Sequence, residues 1–112
     1  MDIAHWTEMA KKLDSEKEGK GETRERLEKL FERFHLVNRK YLDKETFEKA
    51  RGSAATMVEA MASTVRFLDT EVARLRSKRT KLPGEDIDFH EMQKAQARNE
   101  LLLKEYEASF KP

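Results

Sequence analysis

The feature that most constrains the fold is a seven-residue repeat of apolar side chains through the middle of the chain. One set recurs every seven residues and comprises Phe47, Ala54, Met61, Leu68, Leu75 and Leu82. A second set with the same interval lies between them and comprises Val58, Val65 and Val72. A pattern sustained over more than about three heptads predicts a long α-helix with one apolar seam. Val at one heptad position and mostly Leu at the other favours a two-stranded parallel coiled coil.

The ends of this long helix are marked by glycine, serine and proline. Gly52-Ser53 interrupts the repeat near its start, and Ser53 is predicted to cap a new helix. Pro83-Gly84 is predicted to end it. Asp88 and Glu91 resemble a capping box and predict that the last helix begins near Asp88.

The last helix has a seam of its own, apolar at both ends and polar in the middle. Its members are Phe89, Met92, Gln96, Asn99, Leu103, Tyr106 and Phe110. Because only a few residues separate the two long helices, we expect them to form an antiparallel hairpin. Gln96 and Asn99 are predicted to fix the alignment of the seam, because a polar pair among apolar side chains penalises wrong registers.

Two shorter helices are predicted before the hairpin. An apolar stripe at steps of three and four indicates a helix from about Glu22 to Lys40 and comprises Leu27, Leu30, Phe34, Val37 and Tyr41. Asp43 follows as a helix cap. A short N-terminal stripe predicts another helix and consists of Ile3, Trp6, Met9, Ala10 and Leu13. The polar stretch from Asp14 to Gly21 is interpreted as a flexible linker. The chain therefore divides into residues 1–21, a short amphipathic helix with its linker, and residues 22–112, a helical bundle.

Composition excludes several other classes of protein. The chain has no cysteine, which rules out disulfides, thiolate zinc sites and cysteine nucleophiles. Four glycines and two prolines are too few for a turn-rich β-sandwich or barrel. The predicted fold is all-α, a helical bundle built on a long antiparallel hairpin with coiled-coil character. We expect a cytoplasmic protein without membrane association, because the sequence shows no Sec-type leader and no long apolar segment.

A cluster of cations near the end of the long helix raises the alternative of nucleic-acid binding. The candidate contacts are Arg74, Arg76, Lys78, Arg79 and Lys81. Cations in the last turns of a helix are also explained by the helix dipole, and acids such as Glu85 and Asp86 follow closely. The whole chain is nearly balanced, with 23 basic and 22 acidic residues. Because these acids neutralise part of the positive charge, nucleic-acid binding is the alternative function and not the first one.

The sequence shows none of the motifs that catalysis or metal binding requires. His5, His35 and His90 are too far apart to lie on one helical turn, and His90-Glu91 lacks the second histidine of a zincin. The basic run lacks the glycines of a phosphate-binding loop. We therefore predict a protein with no catalytic residues, no metal and no cofactor.

The predicted function is a non-catalytic protein–protein interaction module, such as a small adaptor, chaperone or regulatory subunit. It is expected to form a homodimer or higher homo-oligomer and to offer apolar grooves to a protein client. The predicted interface residues are Val58, Met61, Val65, Leu68, Val72, Leu75 and Trp6. For Trp6, the sole tryptophan, two interpretations stay open, namely packing back onto the bundle or anchoring the first helix in a partner's groove.

Overall fold

The computed structural model describes residues 3–15 and 21–110 and, within them, the side chains of residues 6–12, 14–15 and 24–107. The secondary structure of these ranges consists of five α-helices: α1 (Ile3–Ser15), α2 (Gly21–Val37), α3 (Lys44–Ala50), α4 (Ala54–Ser77) and α5 (Pro83–Phe110). The all-helical prediction is confirmed for this part of the chain. Residues 16–20 of the predicted linker and the side chains of Ile3, Leu13 and Phe110 lie outside the described residues.

Helix α4 is the centre of the fold, because α1, α2, α3 and α5 all contact it. Helix α2 also contacts α5. The core between them is built from large apolar side chains that are almost completely buried: Leu27, Phe31, Phe34, Met57, Leu68 and Leu75. Leu27, Phe31 and Phe34 recur at steps of three and four, which places one face of α2 against α4 and α5.

Two predicted helix caps are confirmed. Asp43 precedes α3, and its Oδ1 accepts a hydrogen bond from the Thr46 amide at 2.7 Å, which lowers the pKa of the Asp43 carboxyl. Ser53 precedes α4 and forms a reciprocal capping box with Thr56, with each side chain accepting from the other residue's amide at 3.2 Å. The chain therefore ends α3 and starts α4 within a few residues, at Arg51–Ser53.

Helix α2 ends at Val37, earlier than the predicted Lys40. The carbonyl of Asn38 accepts hydrogen bonds from the amides of Tyr41 (2.9 Å) and Leu42 (2.8 Å), which turns the chain after α2. Tyr41 consequently leaves the apolar stripe of α2 on which the spacing placed it.

The predicted boundary between the two long helices is wrong. Helix α4 ends at Ser77, and α5 begins at Pro83, upstream of Asp88. Proline suits a first helical position because the amide it lacks would have no partner within the helix. Glu85 Oε1 accepts from the Leu82 amide at 3.2 Å and completes this start. The unbroken apolar repeat within α4 runs from Ala54 to Leu75, and Leu82 is 67% exposed.

Helix α1 packs against α4 and is fixed at two places. Trp6 is 4% exposed, and its ring centroid lies 4.8 Å from that of Tyr106 on α5. Near the other end, the carboxylate of Asp14 accepts hydrogen bonds from the amides of Ala54 (2.8 Å) and Ala55 (2.9 Å). Arg24 Nη1 lies 3.6 Å from Asp14 Oδ1. Asp14 thus caps α4 from α1, a contact between residues far apart in sequence.

Candidate interaction surfaces

The predicted interface on α4 lies largely inside the monomer. The buried members are Val58, Met61, Leu68, Val72 and Leu75. Val65 is half-buried and packs against the same core. These side chains contact the chain's own helices, so the heptad pattern located the core-facing side of α4. Trp6 belongs to the buried cluster that also contains Val58 and Met61.

The polar centre of the α5 seam pairs with α2. Asn38 is 0% exposed and Asn99 is 3% exposed. Asn38 Nδ2 donates to Asn99 Oδ1 at 2.7 Å, and Asn99 Nδ2 donates to Asn38 Oδ1 at 3.0 Å. Asn38 Nδ2 also donates to the carbonyl of Phe34 at 2.7 Å. The sequence analysis singled out Asn99 but did not identify its partner Asn38, because Asn38 follows the last turn of α2 and has no place in a heptad.

Gln96, the other predicted alignment residue, lies nearer the surface. Its Nε2 donates to Asp69 Oδ1 of α4 at 2.8 Å. Gln96 and Asp69 both line a groove of about 440 Å³ between α4 and α5, together with Val65, Leu68 and Leu103. Gln96 and Asn99 therefore contact different helices, α4 and α2 respectively.

An exposed aromatic patch lies where the turn after α2 meets α4 and α5. We call Tyr41, Phe67 and Met92 the Phe67 patch. Phe67 is 46% exposed, and its ring centroid lies 6.2 Å from that of Tyr41. These side chains line a cleft of about 460 Å³ together with Lys40 and Asp88. The patch joins three separate parts of the chain into one apolar surface.

Charged groups border the Phe67 patch. Lys40 on the turn forms an ion pair and hydrogen bond with Glu91 of α5, and this bond raises the pKa of Lys40. Partial burial raises the pKa of the Tyr41 phenol, although the nearby Lys40 charge opposes the change. Both groups therefore keep their neutral-pH forms, a phenol able to donate a hydrogen bond and an ammonium held at the rim.

Sequence reasoning missed this patch because its members carry no shared pattern. Phe67 directly precedes the seam residue Leu68 and so points away from the seam of α4. Tyr41 was assigned to the apolar stripe of α2, and Met92 to the seam of α5. A large aromatic residue beside the seam of a long helix was the available signal, since such a position is usually polar.

The basic segment is partly neutralised. Arg74 Nη2 lies 2.8 Å from Glu71 Oε2, and Lys78 Nζ lies 2.7 Å from Glu85 Oε2. The hydrogen bond from Lys78 is the main cause that lowers the pKa of Glu85. Arg74 also lies 3.9 Å from Glu85, so one carboxylate serves two cations. Two of the five candidate cations are therefore engaged by acids of the same chain.

Two of the other three cations lie against an aromatic ring. Lys81 Nζ lies 4.9 Å from the Phe89 ring centroid, and the Arg76 guanidinium carbon lies 6.0 Å from it. Phe89 itself is half-buried on the first turns of α5, and Arg79 is exposed. Arg76, Lys81 and Phe89 thus combine two positive charges with one π surface at the α4–α5 connection.

The two histidines whose side chains are described contact different residues. His35 stacks on Phe47 at 4.2 Å between ring centroids, and His90 Nε2 lies 3.7 Å from Asp86 Oδ1. Over the described residues, no three His, Asp or Glu side chains converge as metal ligands would. None of the described helices combines the length and the apolar content needed to cross a bilayer.

Comparisons with known proteins give the chain no relative. No protein-family model matches it, and neither a curated protein nor a solved structure matches it significantly.

Proposed function

We propose that this chain is a non-catalytic protein–protein interaction module of the adaptor, chaperone or regulatory-subunit type. The observation that supports the proposal is the Phe67 patch. Phe67 is 46% exposed beside Tyr41, whereas the large apolar residues of the core are almost fully buried. Contiguous exposed apolar surface rimmed by polar groups is characteristic of protein contact sites. Aromatic residues also contribute disproportionately to binding energy.

The chemistry of the patch favours a partner helix that offers an aliphatic side chain with charges beside it. The cleft of about 460 Å³ has an apolar centre at Phe67 and Met92. Its rim carries Lys40 on one element and Asp88 on another, so a partner with charges of both signs is complementary. The Tyr41 phenol adds one directional polar contact at the edge of the apolar centre.

Helix–helix packing is the proposed means of association, with α4 and α5 acting as a long antiparallel hairpin. The contacts that support this arrangement are Asp69 with Gln96 and Lys78 with Glu85, which pair later residues of α5 with earlier residues of α4. The proposed homodimer uses exposed side chains, because most of the α4 seam already packs within the chain. Its measurable consequence is a mass in solution of twice the 13.2 kDa chain mass.

The test substitutes one exposed aromatic residue and compares it with an exposed leucine elsewhere. Phe67→Ser is expected to abolish capture of a specific partner from the native extract, and to abolish any dimer measured by light scattering. Leu36→Ser on α2 is the matched control, because Leu36 is also exposed, at 59%. The Leu36→Ser variant is expected to capture the partner as the wild type does. Equal capture by both variants would contradict the assignment of the patch.

The alternative function is binding of nucleic acid through the basic segment. It is supported by Lys81 and Arg76, which flank the Phe89 ring, because cations next to an aromatic surface suit phosphates and bases. The acids that pair with Arg74 and Lys78 reduce its charge. Titration with single-stranded and duplex nucleic acid at two salt concentrations tests it. A steep salt dependence that weakens in Lys81→Gln supports this alternative, and absence of binding at low salt eliminates it.

A further inference from the structure

Helix α1 lies on α4 like a bound peptide, held by two side chains eight residues apart. Trp6 packs on Tyr106, and the carboxylate of Asp14 accepts from the amides of Ala54 and Ala55. Ala10, between these two anchors, is almost completely buried. One aromatic anchor, one small residue and one carboxylate thus define how the helix is seated.

The surface beneath α1 is assembled by the other helices. Helices α2, α4 and α5 all contact one another. The Asn38–Asn99 bonds and the Arg33–Glu105 ion pair join α2 to α5 independently of α1. Ser53 and Thr56 cap α4 without any contribution from Asp14. The groove therefore has walls that do not depend on its occupant.

The occupant is held by contacts that are easily reproduced by another helix. A helix of 13 residues is marginally stable by itself, so α1 owes its order to docking. The carboxylate of Asp14 is 26% exposed and lies 3.6 Å from Arg24, where solvent and a competing carboxylate both have access. Tethering raises the effective concentration of α1 at its groove, so a competing helix must displace a linked competitor.

We infer that the α1 groove is a binding site for a partner's amphipathic helix and that α1 is its built-in competitor. The partner helix carries a Trp or Phe and, eight residues later, an Asp or Glu, with a small residue between them. Its aromatic ring occupies the Trp6 position on Tyr106, and its carboxylate accepts from Ala54 and Ala55 beside Arg24. This site is separate in its residues from the Phe67 patch and extends the proposed interaction function to a second, autoinhibited surface.

The experiment uses the full chain and a fluorescein-labelled synthetic peptide with the sequence of residues 1–15. Binding is measured by fluorescence anisotropy. Wild-type chain is expected to bind the peptide weakly, because its own α1 fills the groove. Asp14→Asn in the chain removes the charge that Arg24 and the α4 amides hold, and is expected to tighten peptide binding about tenfold. The same substitution placed in the peptide is expected to weaken binding by a similar factor.

Three further samples separate the explanations. Glu8→Gln, an exposed position on α1, is expected to bind the peptide as the wild type does. Trp6→Phe in the chain also loosens α1 and is expected to tighten peptide binding. It replaces Asp14→Asn as the test variant if circular dichroism shows that Asp14→Asn disturbs folding. Phe67→Ser is expected to leave peptide binding unchanged. Failure of the proposed function at the Phe67 patch is therefore distinguishable from failure of the peptide to bind at the α1 groove.

Specific outcomes overturn the inference. Equal peptide binding by the wild type, Asp14→Asn and Trp6→Phe chains places the peptide on another surface. Absence of binding by all three chains shows that the groove takes no free helix. A mass of twice 13.2 kDa that persists when Asp14→Asn is combined with Phe67→Ser, the change that removes the proposed dimer at the Phe67 patch, identifies a second copy's α1 as the occupant and overturns the assignment to a partner protein.

Discussion

Asn38 and Asn99 exchange two side-chain hydrogen bonds, at 2.7 Å and 3.0 Å, in the buried contact between the end of α2 and the middle of α5. Asn38 also accepts at its carbonyl from Tyr41 and Leu42 and so shapes the turn that leads to α3. A shift of α2 along α5 by one helical turn would bury both carboxamides without partners. The pair therefore specifies how α2 and α5 align, and it positions Tyr41 for the Phe67 patch.

Replacing Asn99 by Leu is expected to destabilise the fold by about 1–3 kcal/mol, because the buried Asn38 carboxamide loses a donor and an acceptor. Asn38→Leu with Asn99→Leu together are expected to cost less than the sum of the single changes, since no polar group is then left unpaired. Urea unfolding of the wild type, both single variants and the double variant measures this coupling. Strictly additive effects would contradict it.

A control for this pair is Gln96→Leu. Gln96 bonds to Asp69 at the surface of the groove, where water replaces the lost partner. The expected change in unfolding free energy is within about 0.5 kcal/mol. A loss as large as that of Asn99→Leu would mean that the outer polar contact contributes to alignment as well.

The start of α4 is predicted to respond separately to two caps. The Ser53 hydroxyl accepts a hydrogen bond from the Thr56 amide, whereas the Asp14 carboxylate accepts from the amides of Ala54 and Ala55. Ser53→Ala and Asp14→Ala are each expected to reduce stability by about 0.5–2 kcal/mol, with nearly additive effects, because they bond different donors. Hydrogen exchange is expected to accelerate at Thr56 in the first variant and at Ala54 and Ala55 in the second. Faster exchange at all three amides in both variants would show a single cooperative cap.

Acid is predicted to weaken the cap of α5. The hydrogen bond from Lys78 lowers the pKa of Glu85 below its ordinary value of 4.5. The folded state therefore binds fewer protons than the unfolded state, so this stabilisation is present above about pH 4.5 and is lost as the pH falls through the folded-state pKa. Urea midpoints at a series of pH values are expected to fall less steeply in Glu85→Gln than in the wild type. Glu59→Gln, an exposed position on α4, serves as the control and is expected to follow the wild type.

Gly84→Ala is predicted to stabilise the protein by about 0.5–1 kcal/mol, because alanine restricts the unfolded chain and favours the helix. Gly84 lies in the first turn of α5, and a Cβ placed there meets no atom within 4 Å. Gly52→Ala is the comparison, since Gly52 lies in the turn between α3 and α4 and gains no helix propensity. Thermal unfolding measures both. A lower melting temperature for Gly84→Ala would show that the first turn of α5 needs the glycine.

The sequence predicted those elements whose causes are local. The caps at Asp43 and Ser53 depend on residues three positions away, and both are confirmed. The heptad pattern identified which side of α4 faces the core. The start of α5 was misplaced because Asp88 and Glu91 look like a capping box, whereas Pro83 with Glu85 forms the actual start. The sequence thus contains two helix-start patterns close together, and α5 begins at the earlier one.

The surfaces were not predictable in the same way, because each depends on residues distant in sequence. Asn38 and Asn99 are 61 residues apart, and Asp14 and Ala54 are 40 apart. A single sequence contains no signal for which of many surface acids will meet a helix N-terminus across the fold. The Phe67 patch likewise exists only after the turn at Asn38 brings Tyr41 beside α4.

The cap that Asp14 provides for α4 also has a consequence for the order in which the chain folds. The Asp14 carboxylate is synthesised before the amides of Ala54 and Ala55. Acceptor and donors meet only after the loop that separates Asp14 from Ala54, 40 residues apart, has closed. At the other end of α1, Trp6 and Tyr106 are 100 residues apart, further than Asn38 from Asn99 (61 residues) or Arg33 from Glu105 (72 residues), and a longer loop costs more entropy to close. We therefore expect the growing chain to assemble α2 through α5 first and to seat α1 last. Burial of its lone indole then marks the final step of refolding.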